Sequence, residues 1–278
     1  MYLRPRTIDD AVEALAQQNL QILAGGTDFY PALGERYPAA PLLDISGLRE
    51  IRGITADSGG FRIGGLTTWS EIVSVPLPRC FDALKSAARE IGGIQIQNRG
   101  TIAGNLCNAS PAADSVPPLL ALEADVELLS RRGLRRIPLS NFILGNRKTA
   151  RLPDEILTSV VVPRALENAP SVFLKLGARR YLVISIAMVA VVVSADEHGL
   201  VSDARVAVGA CSARAQRLDA LEKDLLGAPA DSHLGNKVSL EHLESLSPID
   251  DVRATAVYRR EAALTLVRRA LNLCAGNR

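Results

Sequence analysis

Ala24-Gly25-Gly26-Thr27-Asp28 and Thr101-Ile102-Ala103-Gly104-Asn105 are the two stretches on which the fold turns. The first follows a short apolar run, residues 21–24, and the second opens into another apolar stretch. Neither carries a lysine to grip phosphate. Small residues in series let consecutive backbone N–H groups converge into an anion-holding nest. Two nests, one from each of two lobes, would hold the halves of a diphosphate between them, which predicts a dinucleotide ligand. Neither stretch matches GxGxxG or the Walker pattern, so the two best-known nucleotide folds are not indicated. A carboxylate repels phosphate, so Asp28 is expected to hold its loop in shape by accepting backbone N–H bonds.

The second stretch continues Leu106-Cys107-Asn108-Ala109-Ser110-Pro111-Ala112-Ala113-Asp114. Thr101 and Asn105 are short polar side chains beside Gly104, suited to donate to phosphate or sugar oxygens where the backbone comes close. Asp114 opens a helical pattern, where an acid serves as N-cap or first-turn residue. It also suits an acceptor role toward sugar-like hydroxyls, and the two readings are compatible.

Working outward, Thr7-Ile8-Asp9-Asp10 reads as a helix N-cap with an acid at N3. Short strands are expected at residues 21–24, 42–45 and 51–54, giving a small, partly parallel β-α-β lobe. Asp57-Ser58-Gly59-Gly60 is a turn cluster, and the first boundary is placed there. A strand at 61–64, a helix at 81–91 ending at Gly92-Gly93, a helix at 114–122, a hairpin over 125–139 and a strand at 155–162 follow. Residues 163–170 are polar and turn-rich. The domains are therefore expected at 1–57, 58–165 and 166–278. The last should hold strands near 171–176, 183–193 and 204–209, helices near 215–226 and 240–246, and a long helix over 253–274. In that helix Val257, Leu264, Val267, Leu271 and Cys274 share one face, with the arginines elsewhere.

Thirty-two basic residues nearly balance thirty acidic ones, for a net charge of +2. That balance gives no reason to expect nucleic acid. The longest apolar stretch, residues 182–193, is too short for a bilayer span of about 20 residues. Asp9 and Asp10 precede any apolar run, so no signal peptide is expected. The four cysteines stand far apart with no CxxC, which gives a disulfide framework, a zinc site or an iron–sulfur cluster little support. The expectation is a cytoplasmic protein with reduced thiols and no metal of its own.

At this point the chain resembles the FAD-binding, or medium, subunit of the molybdenum hydroxylases, the xanthine dehydrogenase and carbon monoxide dehydrogenase group. The resemblance rests on the two glycine loops and on Asp44-Ile45 with Leu48. It extends to Gly64-Gly65-Leu66-Thr67-Thr68, Asp154-Glu155-Ile156-Leu157 and Lys175-Leu176-Gly177-Ala178-Arg179-Arg180, with the stretch from Thr101 to Asp114 the most specific. It implies an α+β fold: a two-lobed FAD-binding part like that of vanillyl-alcohol oxidase, and a C-terminal antiparallel sheet with helices. It also implies that Leu23, Ala24, Gly25, Gly26, Thr27 and Asp28 wrap the FAD diphosphate, with Thr101, Gly104 and Asn105 completing the cradle. Asp114 corresponds to the aspartate that bonds the polyol chain, and Leu157 to the apolar residue packed on the isoalloxazine. Lys175 corresponds to a lysine near the ring's polar edge, where a cation favours the reduced, anionic form; without the resemblance it reads as a surface lysine. Ala103 departs from the glycine usual at its position. The cysteine-rich insertion of the hydroxybenzoyl-CoA reductase branch has no counterpart here.

His198, His233 and His242 lie in polar surroundings without metal-ligand spacing and read as solvated. No Ser–His–Asp or Cys–His pairing and no working carboxylate pair is indicated, so no catalytic side chain is assigned. A chain that binds a redox cofactor yet lacks substrate-activating groups fits a relay. The resemblance implies partners: a large molybdopterin-binding subunit, a small two-iron two-sulfur subunit, and an external acceptor such as NAD or a quinone. The rival readings are a self-sufficient FAD-dependent oxidase of small organic substrates and a non-redox nucleotide-binding module.

Overall fold

The computed structural model describes residues 1–276. Its first lobe is a three-stranded parallel sheet in the order β1-β3-β2, from β1 (Tyr2–Leu3), β2 (Gln21–Leu23) and β3 (Leu42–Asp44). Helix α1 (Ile8–Gln17) covers it, with Thr7 accepting from the Asp10 amide as N-cap. Ala11, Val12 and Leu15 fall on one helical face and close this small core against Leu43, Ile45 and Leu48. A short helix, α2 (Phe29–Leu33), follows the first glycine loop.

Residues 51–54 do not form a third strand of this lobe. Arg49–Ile51 is a 3-10 turn, and β4 (Ile54–Asp57) pairs with β5 (Gly60–Gly64) in a second sheet. The Asp57-Ser58-Gly59-Gly60 cluster is the turn of that hairpin. The Gly59 amide donates to the Asp57 carboxylate at 2.7 Å. Gly60 has φ +140, and a Cβ there would stand 2.3 Å from the Val162 carbonyl oxygen, so only glycine lets β5 close on its neighbour.

The second lobe carries helices α3 (Trp69–Ser74), α4 (Asp82–Glu90), α5 (Ile94–Gln97), α6 (Ile102–Asn108) and α7 (Val116–Ala121) between the strands. After them come β6 (Asp125–Ser130), β7 (Gly133–Pro138), the short helix α8 (Leu139–Phe142), a hairpin of β8 (Ile143–Gly145) with β9 (Lys148–Thr149), and β10 (Ile156–Val162). The sheet is antiparallel in the order β4-β5-β10-β6-β7.

The C-terminal part is a four-stranded antiparallel sheet, β11 (Ser171–Leu176), β12 (Ala187–Ala195), β13 (Val201–Gly209) and β14 (Gln216–Arg217). Helix α9 (Asp219–Leu225) and the long α10 (Ala256–Gly276) pack on it. Strand β12 explains the long apolar run in the sequence. Ala187, Val189, Val191 and Val193 face α10, while Met188, Ala190 and Val192 face the helices of the second lobe. A strand buried on both faces loses its alternation. The strand begins at Ala187, not at residue 183, and Val183, Ile184 and Ser185 form a loop.

Two readings of α10 need correcting. Val257 is exposed, and Arg259, placed by periodicity away from the core, is only 3% exposed. Its guanidinium donates to the carbonyls of Ile186 (2.6 Å) and Ala210 (3.2 Å) and to Asp251 (2.7 Å), which offsets the cost of burying it. The expected helix near 240–246 is a 3-10 turn, Glu241–Leu243. His242 is not solvated: it lies between the Ser239 amide and the Asp224 carboxylate, each at 3.0 Å.

Candidate functional site

The two glycine loops, distant in sequence, touch. A Cβ on Gly25 would stand 2.0 Å from the Arg99 carbonyl oxygen and 3.1 Å from the Gly100 Cα. Contact this close between two backbones is possible only without a side chain. Gly26 takes φ +76, the left-handed region, three residues before α2 begins at Phe29. Along this seam runs a cavity of about 1060 Å³. That is the upper end of the range for small-molecule sites and suits a dinucleotide.

Eleven of the twelve expected site residues line the cavity: Leu23, Ala24, Gly25, Gly26, Thr27, Asp28, Thr101, Gly104, Asn105, Asp114 and Leu157. Lys175 does not. It stands behind Asp114, its ammonium 2.6 Å from the carboxylate, with only 7% of its side chain exposed. It is therefore not a surface lysine, and its partner is a side chain of the wall.

The loops differ in what they offer. The amides of Gly25, Gly26, Thr27 and Asp28 have no protein acceptor among the described contacts, so the first loop presents free donors. The second is not a backbone nest. The Ile102 amide donates to the Thr67 carbonyl (3.0 Å), Ala103 to Gly65 (3.0 Å), Gly104 to the Thr101 hydroxyl oxygen (3.1 Å) and Asn105 to the Thr101 carbonyl (3.0 Å). Thr101 is in fact the N-cap of α6, a helix that short apolar residues around a glycine conceal in the sequence. What this side offers is side chains. The Ser115 hydroxyl donates to the Asn105 carbonyl oxygen at 2.6 Å, which leaves the Asn105 amide N–H₂ as a donor.

Asp28 is exposed and caps nothing; no hydrogen bond of its side chain holds the loop. Asp114 does not cap α7, whose N-cap is Ser115. Its two carboxylate oxygens are taken by Lys175 and by the Ser185 hydroxyl, at 2.6 and 2.5 Å. Burial pushes the Asp114 carboxyl above its usual range, while Lys175 and Ser185 pull it back. Ser185 is a site residue that sequence reasoning missed, because it lay inside a run that read as strand. Arg36, Arg147 and Arg151 also reach the wall. Cys107 is there too, but burial pushes its thiol up to about 11, so it is inert.

Ala103 fits its place. Its methyl lies 3.1 Å from where a Gly65 Cβ would be, so the missing side chain at Gly65 makes room for it.

The donor set suits a diphosphate flanked by a hydroxylated chain: free amides on one loop, an amide side chain opposite, and a buried carboxylate farther along. Residues 1–165 match the family described as the FAD binding domain in molybdopterin dehydrogenase. The chain belongs to this family. Residues 173–273 match the CO dehydrogenase flavoprotein C-terminal domain. The xanthine dehydrogenase FAD-binding subunit of Escherichia coli O157:H7 is 32% identical over 278 residues, covering 98% of this chain and 94% of that one. The carbon monoxide dehydrogenase medium chain of Hydrogenophaga pseudoflava is 29% identical over 276 residues, covering 98% and 95%. A solved carbon monoxide dehydrogenase from that organism superposes with a TM-score of 0.87 at 29% identity, over 98% of this chain and 96% of the other. As a member of this family the chain is an FAD-dependent oxidoreductase subunit of the medium type, and its cofactor is FAD. Among the described residues, no group of side chains could hold a metal ion, and no helix is long and apolar enough to cross a membrane.

Proposed function

We propose that this chain is the electron-relay subunit of a multisubunit molybdenum hydroxylase. Electrons from the iron–sulfur clusters of a small partner subunit, supplied in turn by a large molybdopterin-binding subunit, would reach an external acceptor by way of the FAD that this chain holds. When bound, FAD supplies the ability to take electrons singly and release them as a pair. The chain's own work is to hold and orient it. The free amides of Gly25, Gly26, Thr27 and Asp28 receive the diphosphate, with the Thr101 hydroxyl and the Asn105 amide opposite and Gly104 keeping the approach open. Asp114 accepts from the polyol hydroxyls, and Leu157 packs on the ring. Lys175 acts through Asp114: by holding the carboxylate charged, it keeps it an acceptor.

The single observation that carries this reading is the seam between the glycine loops, where unpaired amides meet a cavity large enough for a dinucleotide. Relatives named as FAD-binding and medium subunits support it. The test is purification under native conditions. The reading expects one FAD per chain, with molybdenum and iron co-purifying in partner chains. Isolated yellow protein should keep its flavin absorbance when mixed with small alcohols or amines. Bleaching by such a substrate, without partners, would establish a self-sufficient oxidase instead.

A further inference from the structure

The cavity wall between Ser110 and Asp114 is held from behind. Ser110, Ala112, Ala113 and Asp114 line the cavity, and Pro111 among them does not. The Pro111 carbonyl instead accepts from the Ala210 amide at 3.0 Å. Ala210 follows the last residue of β13, so this bond ties the C-terminal sheet to the wall. The segment also closes on itself. The Ala113 amide donates to the Ser110 carbonyl at 3.0 Å, and the Ala112 amide to the Ser110 hydroxyl oxygen at 3.3 Å. A turn closed in this way moves as a unit, so the hold on Pro111 is passed along to Asp114.

Ala210 is itself kept in an uncommon shape. Its φ is +61, the left-handed region, in a residue with a side chain. Strain of this kind persists where the surroundings enforce it. Pro111 holds its amide, and Arg259 of α10 holds its carbonyl. The Arg259 Nη1 donates to Ala210 at 3.2 Å and to the Ile186 carbonyl at 2.6 Å. The thiol of Cys211, next in the chain, donates back to the Arg259 carbonyl at 3.7 Å. Burial pushes that thiol up to about 11, which keeps it protonated and a donor.

Stability alone does not account for a guanidinium here. Arg259 is almost wholly buried, and its Nε has no partner among the described residues. A buried donor without an acceptor costs stability, and a buried ion pair is on balance little better than well-packed apolar side chains. What an apolar side chain cannot do is grip two carbonyls at once and so fix the ends of β12 and β13 against each other.

We infer that Arg259 is a positioning residue for the cofactor: through Ala210 it holds Pro111, and with it the Ser110–Asp114 wall, in the place where Asp114 meets FAD. The inference rests on the FAD-binding reading and adds to it a residue that does not line the cavity. Arg259 touches no part of the ligand and acts through the backbone it grips.

The experiment uses the full-length chain, freed of FAD and titrated with it by flavin fluorescence well below the melting temperature. Arg259→Met keeps the length of the side chain and removes its donors. FAD should bind at least about tenfold more weakly, the scale of one lost hydrogen bond to a charged group. Arg259→Lys keeps the charge and a donor and should recover part of that loss. In an Asp114→Asn background the Arg259→Met loss should shrink to about threefold or less, because the residue through which it acts is already altered. Unchanged FAD affinity in Arg259→Met, with only a lower melting temperature, would show a structural role and overturn the inference. So would a lysine variant that binds no better than the methionine one, or a tenfold loss that persists in the Asp114→Asn background. If Arg259→Met does not fold, amide exchange in Arg259→Lys decides. Without FAD, the Ala112 and Ala113 amides should exchange at least about tenfold faster than in wild type while those of β10 do not change; equal exchange overturns the inference. Wild-type chain that binds no FAD would instead sink the FAD-binding reading itself.

Discussion

The ammonium of Lys175 and the carboxylate of Asp114 form a buried pair, 2.6 Å apart, in which Asp114 faces the cavity and Lys175 stands behind it. The pair joins β11 of the C-terminal sheet to the second lobe, and Ser185 closes it from a third direction. A charge at the wall is thus secured by a charge outside it, and that arrangement governs how substitutions should behave.

Lys175→Met should leave an unpaired carboxylate in an apolar surrounding and cost about 3 kcal/mol. Asp114 would then move further up and become neutral, weakening FAD retention. Asp114→Asn in the same background should recover part of the stability. A double-mutant cycle by chemical denaturation checks this, with the coupling energy as its readout. Sign matters for the wild type as well. A carboxyl held above its unfolded value contributes stability that is fully present below the unfolded range and is lost as pH rises through the folded value.

Gly25→Ala should damage the cavity more than Gly26→Ala. Its Cβ would overlap the Arg99 carbonyl, so the two loops must part, at about 1–3 kcal/mol for overpacking. Gly26→Ala meets only the edge of the Tyr30 ring and the cost of a positive φ, about 1 kcal/mol. Flavin bound per purified chain should therefore fall further in Gly25→Ala than in Gly26→Ala.

Asn105→Asp replaces the donor amide with a carboxylate facing the position proposed for the diphosphate. FAD affinity should fall by at least about tenfold, the equivalent of one lost charge-assisted contact. Ser115→Ala releases the amide without changing its charge and should have a smaller effect. Flavin fluorescence titration of apoprotein ranks the two.

Asp251 anchors the start of α10. It accepts from the Arg253 amide (2.8 Å), the Ala254 amide (3.3 Å) and the Arg259 guanidinium (2.7 Å). These donors hold its carboxyl down at about 2. A depressed carboxyl contributes stability above its unfolded value near 4, lost as pH falls from there toward about 2. Melting temperatures of Asp251→Asn and wild type should therefore differ near neutrality and converge across that acid window.

Much of this was legible in the sequence. The glycine loops, Thr7 as a cap, the hairpin over 125–139 and the C-terminal sheet follow from local patterns that do not depend on distant partners. The misreadings have a common cause. Arg259 looked exposed because periodicity sees one helix, whereas its partners are the Ile186 and Ala210 carbonyls, at the ends of β12 and β13, and the Asp251 carboxylate. The second loop looked like a nest because its composition is that of one; only the acceptors at Thr67 and Gly65 show that its amides are spent. Lys175 could be placed beside Asp114 only by a sheet that folds β11 against the helix region. In each case the deciding contact lies across the fold, where single-sequence patterns carry no information.

Arg259 has one more effect. By gripping the Ile186 carbonyl it braces the residue next to Ser185, and so reaches the acid at the cavity through one intervening residue. Shortening the chain to its first 165 residues would discard this brace along with Lys175 and Ser185. The glycine seam would survive on paper, but the flavin end would be left without its back wall, and an excised front half should hold its dinucleotide by one end only.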